Sequence, residues 1–515
     1  MSKLKTLDFL VNFSKQRKKK GKKIVLCHGV FDFPHLGHVN HFNAAKKFGD
    51  YLIVSVTEDK HVSKGFDRPI YKEDQRVKFL SAFSMIDYIY IDRNSNASKV
   101  ISKLRPNIYA KGQDYNLSNN AFKLGVQQRD LTGNIFKEKI AVEKIGGKII
   151  FTNEESFSSS KNINITNMHH ETIKILKKIK KKYPFYKIRK VINDISKLKI
   201  LVIGDTIVDN YIYVSTLGKP SKENMMATQY DSKDIFLGGL FGAVNNLSTF
   251  CDNIDFVTVT GKEKKYENLL KKGISKNINK GLILKTVTLT TAKTRFVQQN
   301  HYTLSKLFEI YEMDDHPINK TIESKIYKFL NNNLRKYDVV IVNDYGHGLF
   351  TKKIIDILCS KSNFLAVNAQ INAGNKGYNL INKYKRASYY CLTLDEARTV
   401  ISDKHANIND LSRKILNLTK GKFVTVTLGG KGSISASKKK YSFTMPAFAK
   451  TTVDTMGAGD AYFAMSSPVL YLTKSIELTS LIGNIAGAIQ VGITGLKYPL
   501  SKLKLLQYCN TLLKV

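Results

Sequence analysis

Two histidines stand three residues apart just after the first predicted strand. His35 and His38 follow the apolar run that ends near Leu26, and Gly29 and Gly37 lie in the same stretch. Glycine lets the backbone approach a phosphate closely, and a helix start presents N–H groups to an anion. Paired imidazoles at such a point suit the stabilisation of negative charge during transfer reactions at phosphorus. The sequence therefore predicts a phosphate-handling site beside the first strand.

A glycine-rich turn near the C-terminus forms a second candidate site. Gly457, Ala458 and Gly459 precede Asp460, and an apolar, helix-forming segment follows. A glycine run that enters a helix presents several N–H groups to an anion. An aspartate at the helix start can accept a hydroxyl proton as phosphoryl transfer begins. This pattern predicts phosphorylation of a hydroxyl group.

Each pattern also has a purely structural explanation. The two histidines could be ordinary structural residues or zinc ligands, although no Cys or carboxylate stands at metal-ligand spacing beside them. A glycine-rich turn alone is weak support for a site. Asp454, six residues before Asp460, and further motifs upstream strengthen the second pattern.

Strand and helix patterns alternate around both candidate sites. A helical spacing at Asn40–Phe48 lies between β-rich runs, and a second series begins at Ile200. The β-rich runs of the first series are Ile24–Leu26, Tyr51–Thr57, Ile86–Ile91 and Ile149–Thr152. Such alternation predicts parallel sheets with helices on both faces, and these sheets bind ligands at the carboxyl ends of their strands. We therefore expect an α/β protein with two Rossmann-like three-layer domains.

A basic segment separates the two series. Between residues 166 and 197 the sequence is rich in lysine, has helical spacing on both sides of Pro184, and shows no strand pattern. We expect a first catalytic domain over 1–165, a basic helical linker over 166–197 and a second catalytic domain over 198–515. A chain of 515 residues has room for them, since domains average about 100–200 residues.

The charge balance is the extreme feature of the composition. Lys and Arg number 82 against 42 Asp and Glu, which gives a formal net charge of +40. A positive field attracts nucleic acid, anionic lipid and phosphorylated metabolites alike, so a nucleic-acid-binding protein is one alternative. The basic clusters lack interleaved aromatic residues and no known binding module is present, which argues against a nucleic-acid partner.

Composition and pattern argue against several other classes of protein. Hydrophobic residues make up 43% and charged residues 24%, which does not fit wholesale disorder. We find no run of about 18 apolar residues, and the segment up to Lys23 turns basic where a signal peptide needs its apolar stretch. The five cysteines are dispersed and include no CxxC pair, which fits a reducing compartment. We expect a cytoplasmic protein without a membrane span.

From Ile24 to about residue 164 the sequence resembles the cytidylyltransferase-like nucleotidyltransferases. The motifs that carry the resemblance are Gly29-Val30-Phe31-Asp32, His35-Leu36-Gly37-His38, Ala45–Asp50, Asp67-Arg68-Pro69, Gln75-Arg76, Lys111–Tyr115 and Phe157–Ser160. The resemblance implies that the catalytic residues are His35, His38, Lys46 and Arg76. It also implies nucleotide contacts by Gly29, Phe31, Asp32, Gly37, Ser158, Ser159 and Ser160, and substrate contacts by Lys111 and Asp114.

From about Lys199 onward the sequence resembles the ribokinase-like sugar kinases of the PfkB family. The motifs are Gly204-Asp205 with Asp209, Gly238-Gly239, Thr291–Arg295, Asn343–Gly348, Val426–Gly432 and the turn before Asp460. The resemblance implies that Asp460 is the catalytic base and that Glu396 meets a metal ion. It implies a nucleotide and phosphate site formed by Thr427, Gly429, Gly432, Gly457, Ala458, Gly459 and Asn484. It implies a sugar site formed by Asp209, Gly238, Gly239, Arg295 and Asp344.

Three positions depart from the kinase pattern. Gly242 replaces a substrate-facing asparagine, Asn368 stands where many relatives have Asp-Pro, and Thr393 replaces the asparagine of an Asn-x-x-Glu motif. Loss of hydrogen-bonding side chains at a sugar and magnesium site could cost a few kcal/mol. An alternative is therefore that only the nucleotidyltransferase is active and that the second half binds sugar or supports oligomerisation.

A sugar kinase joined to a nucleotidyltransferase suggests two consecutive steps. The pairing resembles the bifunctional heptose-phosphate kinase/ADP-heptose synthases of bacterial lipopolysaccharide assembly, with the domain order inverted. We expect a bifunctional enzyme that phosphorylates a sugar and transfers a nucleotidyl group from ATP or CTP to a sugar phosphate or alditol phosphate, releasing pyrophosphate. Mg²⁺ would be needed at both sites. The sugar and the nucleobase remain undefined, and a homodimer remains open.

Overall fold

The computed structural model describes residues 3–32, 34–62, 69–112, 133–152, 168–275, 278, 280–286, 289–299, 304–375, 377–439, 442–449 and 451–515. These residues form two compact units. The first comprises Met1–Ile173 together with Leu506–Val515, and the second comprises Lys174–Leu505.

The first unit is built on a five-stranded parallel sheet. Its strands are β1 (Ile24–Gly29), β2 (Tyr51–Thr57), β3 (Tyr88–Asp92), β4 (Ile108–Gly112) and β5 (Lys148–Thr152). Its helices are α1 (Leu7–Lys19), α2 (Leu36–Lys46), α3 (Glu73–Ser81), α4 (Ser98–Leu104) and α5 (Asn134–Lys144). The strand order is β3-β2-β1-β4-β5, and a helix lies in each connection because parallel neighbours require a crossover.

Side chains of β1 alternate between two hydrophobic layers. Val25 and Cys27 pack in one cluster with Phe42 of α2, whereas Leu26 packs in the other with Leu10 of α1. Alternation follows from the two-residue period of a strand, so a strand that is apolar at every position is covered on both faces. The first unit thus has three layers, and β1 and β4 lie side by side near the centre of its sheet.

The second unit contains a large sheet and a small one. The strands are β6 (Ile200–Gly204), β7 (Thr206–Gly218), β8 (Ala227–Gly239), β9 (Ile254–Thr260), β10 (Lys280–Lys285), β11 (Thr291–Gln299), β12 (Leu304–Glu312), β13 (Val339–Asp344), β14 (Leu365–Ala369), β15 (Tyr389–Thr393), β16 (Phe423–Thr427), β17 (Ser433–Ser437) and β18 (Ser442–Met445). The large sheet has the order β10-β9-β6-β13-β14-β15-β16-β17-β18. It is parallel from β10 to β16, and β17 and β18 add antiparallel strands at one edge.

Helices cover both faces of the large sheet. The helices from residue 170 onward are α6 (His170–Lys182), α7 (Phe185–Asp194), α8 (Leu240–Ser248), α9 (Glu267–Gly273), α10 (Lys320–Asn333), α11 (Lys352–Lys361), α12 (Leu394–Val400), α13 (Ile408–Thr419), α14 (Ala458–Thr473), α15 (Ile476–Gln490) and α16 (Lys502–Leu512). Leu201 of β6 and Val340 of β13 pack in one core cluster with Ile326 of α10 and Leu358 of α11. The α8 and α14 helices contact β6 and β13 respectively.

The small sheet has the order β12-β11-β7-β8. The β7 and β8 strands pair antiparallel, and Ile207 lies opposite Gly238. The β11 strand runs parallel to β7, with Lys293 beside Asp209. Since paired residues share a face and alternate residues point the same way, Asp209, Lys293 and Arg295 all lie on one face of this sheet.

The predicted α/β architecture with parallel sheets is confirmed. The basic segment predicted to be helical contains α6 and α7 on either side of Pro184. The boundaries 1–165, 166–197 and 198–515 stay predictions. Among the described residues, none of the helices has both the length and the hydrophobicity that crossing a bilayer requires.

Candidate active sites

The two histidines of the first candidate site lie side by side at the start of α2. The helix begins after His35, and the His35 N–H donates a 3.3 Å hydrogen bond to Nδ1 of His38. The two rings are stacked, with 4.0 Å between their centroids. The loop that leads to them leaves the carboxyl end of β1, as predicted for a ligand site in an open parallel sheet. This arrangement can present two imidazoles and helix N–H groups to one phosphate.

Phe31 and Asp32 shape the loop between β1 and α2. Phe31 has a left-handed backbone (φ +50°), and its ring packs against Gly29 and, edge-on at 5.6 Å, against His38. Asp32 is buried, and its Oδ1 accepts a 2.9 Å hydrogen bond from the N–H of Tyr71. The structure therefore brings the predicted residues Gly29, Phe31 and Asp32 close to the histidines.

Arg76 is fully buried beneath the same loop. Its guanidinium donates hydrogen bonds to the carbonyl oxygens of Tyr71, Val30 and Thr57, and it also pairs with Asp59 at 2.5 Å. A guanidinium has five N–H groups, so these four bonds leave little for a phosphate. Arg76 thus positions the loop in this structure, and its predicted contact to phosphate stays a prediction.

Lys46 lies apart from the two histidines, and its predicted catalytic role at the phosphate stays a prediction. Lys46 is the last residue of α2, an 11-residue helix, so about 15 Å separates it from the histidine end. Its Nζ lies 2.5 Å from Asp87 Oδ2 and 2.7 Å from the carbonyl oxygen of Asp50. Both partners precede a strand, so Lys46 lies near the amino ends of the strands, away from the loop.

Lys111 is the penultimate residue of β4, the strand beside β1, and lies in a buried polar cluster. Its Nζ lies 3.1 Å from Glu138 Oε2 and donates to the carbonyl oxygen of His28 at 3.2 Å. Burial lowers the pKa of His28 to about 4, so this ring is neutral at physiological pH. The sequence did not single out His28 or Glu138.

Of the remaining predicted residues of the first unit, Gly37 lies in the first turn of α2. The predicted residues Asp114, Ser158, Ser159 and Ser160 lie outside the described residues.

Asp460, the predicted base of the second site, is the third residue of α14. Its Oδ1 accepts a 2.7 Å hydrogen bond from the hydroxyl of Tyr345. Burial raises the pKa of Asp460 to about 6, the Asp209 carboxylate adds to the rise, and Lys293 opposes it. A carboxyl group with such a pKa can accept a hydroxyl proton near neutral pH.

Four of the predicted sugar-binding residues lie together on the small sheet. Arg295 forms an ion pair with Asp209, and the Arg295 Nε lies 3.0 Å from Glu309 Oε2. The second oxygen of Asp209 lies against the Cα of Gly238, where any Cβ would overlap it. Gly239 adopts a positive φ of +60°, and a Cβ there would overlap the carbonyl oxygen between β6 and β7. Neighbouring atoms lie so close to Gly238 and Gly239 that only glycine fits at either position. The contacts of all four residues to a sugar stay predictions.

Lys293 belongs to this site although it was not among the predicted site residues. It is buried, its Nζ lies 4.8 Å from the centre of the Tyr311 ring, and burial lowers its pKa. Its charge acts on the pKa of Asp460, which places it close to the reacting region. The alternation of Lys293 and Arg295 was the signal that could have identified it, because residues two apart on a strand share a face.

Asp344 is held by contacts within the chain, and its predicted contact to the sugar stays a prediction. Its Oδ1 accepts hydrogen bonds from the N–H of Gly346 and from Asn379 Nδ2, both at 3.0 Å. Its Oδ2 accepts from the Tyr384 hydroxyl at 2.6 Å and lies 2.7 Å from Lys383 Nζ. These four contacts use the capacity of a carboxylate, which has about four lone-pair sites. Asp344 therefore fixes the loop after β13, and the next residue along this loop is the tyrosine that contacts Asp460.

The predicted nucleotide residues lie at the ends of β16 and α14. Thr427 is the last residue of β16, and the turn with Gly429 and Gly432 leads into β17. Asn484 of α15 donates through Nδ2 to Ser433 Oγ at 2.8 Å, so it lies beside that turn. The residues Gly457, Ala458 and Gly459 form the start of α14, where N–H groups lack helical acceptors. Their contacts to nucleotide stay predictions.

Glu396 and Thr393 form a capping box at the start of α12. Thr393 Oγ1 accepts the N–H of Glu396 at 3.3 Å, and Glu396 Oε2 accepts the N–H of Thr393 at 2.7 Å. Glu396 Oε1 accepts the N–H of Ile371 at 3.0 Å. Each oxygen keeps a lone pair, so a contact to magnesium remains compatible with this arrangement. Within the described part of the chain, no group of three or more His, Cys, Asp or Glu could hold a metal ion.

Gly242 lies beside Asp460. A Cβ at this position would lie 3.6 Å from Leu496 Cδ1 and 3.8 Å from Asp460 Oδ2, which are ordinary contact distances. A Cβ here would thus fit beside the carboxylate without a clash. Asn368, the second unusual position, donates through Nδ2 to the carbonyl oxygen of Cys391.

Both units match known sequence families. Residues 26–165 match the family described as cytidylyltransferase-like, and residues 197–503 match the pfkB family carbohydrate kinases. The chain is similar to the "Bifunctional protein HldE" of Desulfatibacillum aliphaticivorans, with 32% identity over 164 residues, 32% of this chain and 30% of that protein. It is similar to the protein of the same name from Aliarcobacter butzleri, with 27% identity over 308 residues, 58% of this chain and 62% of that protein. The chain thus covers less than two thirds of the length of either relative.

A solved structure supports the fold of the kinase-like unit. The crystal structure of phosphofructokinase-2 from Escherichia coli in complex with potassium aligns with a TM-score of 0.50 and 12% identity, over 61% of this chain and 99% of that chain. At this identity the likeness concerns the fold alone, and with the family match it confirms the ribokinase-like fold.

The inverted domain order is not supported. The family matches fix the order within this chain, nucleotidyltransferase first and kinase second, and establish no reversal relative to the HldE proteins. The second family match spans more than half of the chain. The chain therefore belongs to the pfkB family of carbohydrate kinases, and it joins to that kinase domain an N-terminal cytidylyltransferase-like domain.

Proposed function

We propose that the chain is a bifunctional enzyme of nucleotide-sugar biosynthesis, with one activity in each unit. The second unit phosphorylates a sugar at the expense of ATP. The first transfers a nucleotidyl group from ATP or CTP to a sugar phosphate or an alditol phosphate and releases pyrophosphate. The observation that carries the kinase proposal is Asp460 at a helix start, hydrogen-bonded to Tyr345 and close to Lys293 and Asp209.

In the kinase unit, Asp460 takes the proton of the acceptor hydroxyl. The hydroxyl oxygen then forms a bond to the γ-phosphorus as the bond to the bridging oxygen breaks, and ADP leaves. N–H groups at the start of α14 stabilise negative charge on the transferred group. Tyr345 orients the carboxylate through its hydrogen bond, and the Asp209–Arg295 pair with Gly238 forms the sugar-facing surface.

In the nucleotidyltransferase unit, His35 and His38 stabilise charge on the α-phosphate. The phosphate oxygen of the acceptor forms a bond to the α-phosphorus, and pyrophosphate leaves with the broken bond. Because the two rings are stacked at the first turn of a helix, both can meet one phosphate group without a change of backbone. Phe31 restricts the loop that carries them.

Magnesium belongs to this proposal as a partner of the nucleotides. When bound, it neutralises charge on the nucleotide phosphates. Magnesium often keeps several waters and uses one or two protein carboxylates, so a site without a cluster of three acidic side chains is compatible with it. Glu396 is the residue that we propose to meet it in the kinase unit.

A second candidate function retains only the nucleotidyltransferase. It is favoured by the ion pair that Arg295 makes with Asp209, because this pair occupies one oxygen of a carboxylate expected to bind sugar. The absence of a side chain at Gly242 also favours this second candidate function. In this case the kinase-like unit binds sugar without phosphorylating it.

Two product assays on the purified full chain test the proposal. Pyrophosphate release is measured with ATP or CTP and a panel of sugar 1-phosphates and alditol phosphates, and ADP formation is measured with ATP and a panel of sugars and sugar phosphates. We expect one matched nucleotide and acceptor in the first assay and one acceptor in the second. Pyrophosphate release without ADP formation would support the second candidate. If folded protein that binds nucleotide forms neither pyrophosphate nor ADP, both candidate functions are refuted.

A further inference from the structure

A cavity lined by threonines lies at the carboxyl edge of the large sheet, apart from the residues assigned above. Its volume is about 100 Å³. Asp205, Thr260 and His347 contribute from the ends of β6, β9 and the loop after β13, and Thr206 and Thr291 contribute from the small sheet. We call it the threonine cavity. It is smaller than the roughly 150 Å³ cavity that accommodates a benzene ring, so it fits an end group rather than a complete sugar.

Three buried polar atoms of the threonine cavity have no hydrogen-bond partner within the described residues. They are Asp205 Oδ1, Thr260 Oγ1 and His347 Nε2, on residues that are 1%, 3% and 7% exposed. A buried polar group without a partner is costly, and each calls for a ligand or water. The three residues come from separate elements and line the same cavity, so their unsatisfied groups lie around one small space.

The hydrogen bonds around these atoms define what that group must offer. His347 Nδ1 lies 2.7 Å from Asp315 Oδ1, so that contact uses Nδ1 and leaves Nε2 for a second partner. Asp205 Oδ2 accepts the N–H of Tyr345 at 2.8 Å, which leaves Oδ1 as a second acceptor. Thr260 offers a hydroxyl that can donate or accept. Neighbouring hydroxyl groups on one ligand match this set, since each can donate and accept.

The charges argue against a phosphate in the threonine cavity. Among the described residues that line it there is no Lys or Arg, although the chain has 82 of them. The two histidines of the lining each face an aspartate, His347 with Asp315 and His316 with Asp314. Asp205 adds a buried carboxyl whose pKa burial raises to about 6. A second negative charge here would be repelled and poorly solvated.

The threonine cavity lies one tyrosine side chain away from the reacting carboxylate. The backbone N–H of Tyr345 binds Asp205, and the hydroxyl of the same residue binds Asp460. Thr291, which lines the cavity, lies two residues before Lys293 and thus on the same face of the small sheet. An elongated acceptor with one hydroxyl at Asp460 can therefore direct its far end into this cavity.

We propose that the threonine cavity is a specificity subsite of the kinase unit that receives the uncharged, hydroxyl-bearing end of the acceptor. The inference rests on the proposed kinase function and adds to it the chemical class of the acceptor's distal end. Acceptors that end in a hydroxymethyl or diol group bind there, whereas those that end in a phosphate at that position are disfavoured.

The test uses the full chain and acceptors of increasing length that end in a hydroxyl group, namely an aldopentose, an aldohexose and an aldoheptose, with their terminal phosphates. In Thr260→Val we expect the KM for the best uncharged acceptor to rise about three- to tenfold, the effect of one lost hydrogen bond. The kcat and the KM for ATP stay unchanged. The variant should fold at least as stably as the wild type without sugar, because it removes a buried hydroxyl that has no partner.

A matched control is Thr419→Val, which removes the hydroxyl of a buried threonine in α13 that donates to the carbonyl oxygen of Ile415. It should lower the thermal midpoint and leave every KM unchanged. An unchanged KM in Thr260→Val, or a preference for terminal phosphates, overturns the proposal. A rise in thermal midpoint with potassium chloride over choline chloride, lost in Thr260→Val, also overturns it and indicates a cation site.

Failure of the kinase function is distinguishable from failure of the subsite. If the wild type phosphorylates no acceptor, the proposed kinase function fails. Binding of the same uncharged sugars is then measured without ATP, as a shift of the thermal midpoint of the protein. A shift in the wild type and in Thr419→Val that is lost in Thr260→Val supports the subsite. Absence of any shift in the wild type overturns it.

Discussion

At the scale of single residues, the protonation of Asp460 links the chemistry of the kinase unit to its stability. Burial raises the pKa of this carboxyl to about 6, while the Tyr345 hydrogen bond favours the charged form. A base must be ionised to accept a proton, so activity needs a pH above the pKa. The same elevated pKa means that the ionised carboxyl destabilises the folded protein.

Replacement of Asp460 by asparagine should therefore abolish ADP formation and stabilise the protein. Because the folded pKa lies above the ordinary value of 3.8, the wild type loses stability as the pH rises from about 4 to about 6. We expect the thermal midpoint of Asp460→Asn to exceed that of the wild type at pH 7.5 and to approach it at pH 4. A variant that is less stable at pH 7.5 would contradict this account of the carboxyl.

Tyr345→Phe should move the pH profile of the kinase reaction. The tyrosine hydroxyl donates to ionised Asp460, so its removal raises the pKa of that carboxyl. We expect the acid limb of kcat/KM against pH to shift to higher pH, with activity partly recovered at alkaline pH. Tyr378→Phe, which changes a tyrosine that is 92% exposed, is the control and should keep the wild-type profile. A uniform loss at every pH would indicate a merely structural role for Tyr345.

At the scale of elements, helix starts determine where the reactive groups stand. The α2 helix begins at the two histidines, α14 begins just before Asp460, and α12 begins at the Thr393–Glu396 capping box. Each helix follows a strand or turn at the sheet's carboxyl edge, where N–H groups without helical acceptors point toward the ligand side. Thr393, which stands where the kinase pattern has asparagine, therefore still caps this helix as an asparagine would.

Thr393→Ala should weaken the start of α12. Loss of an N-cap hydroxyl costs about 1 kcal/mol, so the free energy of unfolding should fall by that amount in urea titration. Thr399→Ala in the same helix is the matched control, because its exposed hydroxyl donates only to the Asp395 carbonyl oxygen one turn earlier. Equal losses in the two variants would show that the capping box contributes nothing measurable.

At the scale of the whole molecule, two units with separate hydrophobic cores carry the two proposed activities. Each unit matches its own sequence family, and each candidate site is formed within one unit. A change in one site should therefore leave the other reaction intact. Their fusion keeps the two activities at a fixed ratio.

Crossed variants test this independence. His38→Ala should lower pyrophosphate release at least about a hundredfold, as loss of a group that stabilises transition-state charge does, and leave ADP formation unchanged. Asp460→Asn should do the reverse. Loss of both products in either variant, with thermal midpoints like that of the wild type, would contradict the two-site arrangement.

The local pattern of the chain was enough to predict the α/β alternation and the helix starts near His35 and Asp460. These features depend on short-range geometry, namely strand periodicity, glycine turns and helix N-termini, which the order of residues specifies directly. The resemblance to two families, drawn from ordered motifs, supplied the two domain types.

Only the tertiary structure decided which charged residues are free to act. Asp344 and Arg76 stand in motifs beside the sites, but long-range hydrogen bonds occupy them, and Lys46 lies at the far end of its helix. Tyr345 and Lys293 reach Asp460 from a loop and a strand more than a hundred residues before it. A side chain's partners depend on which elements pack together, and that packing is a property of the whole fold that local spacing does not encode.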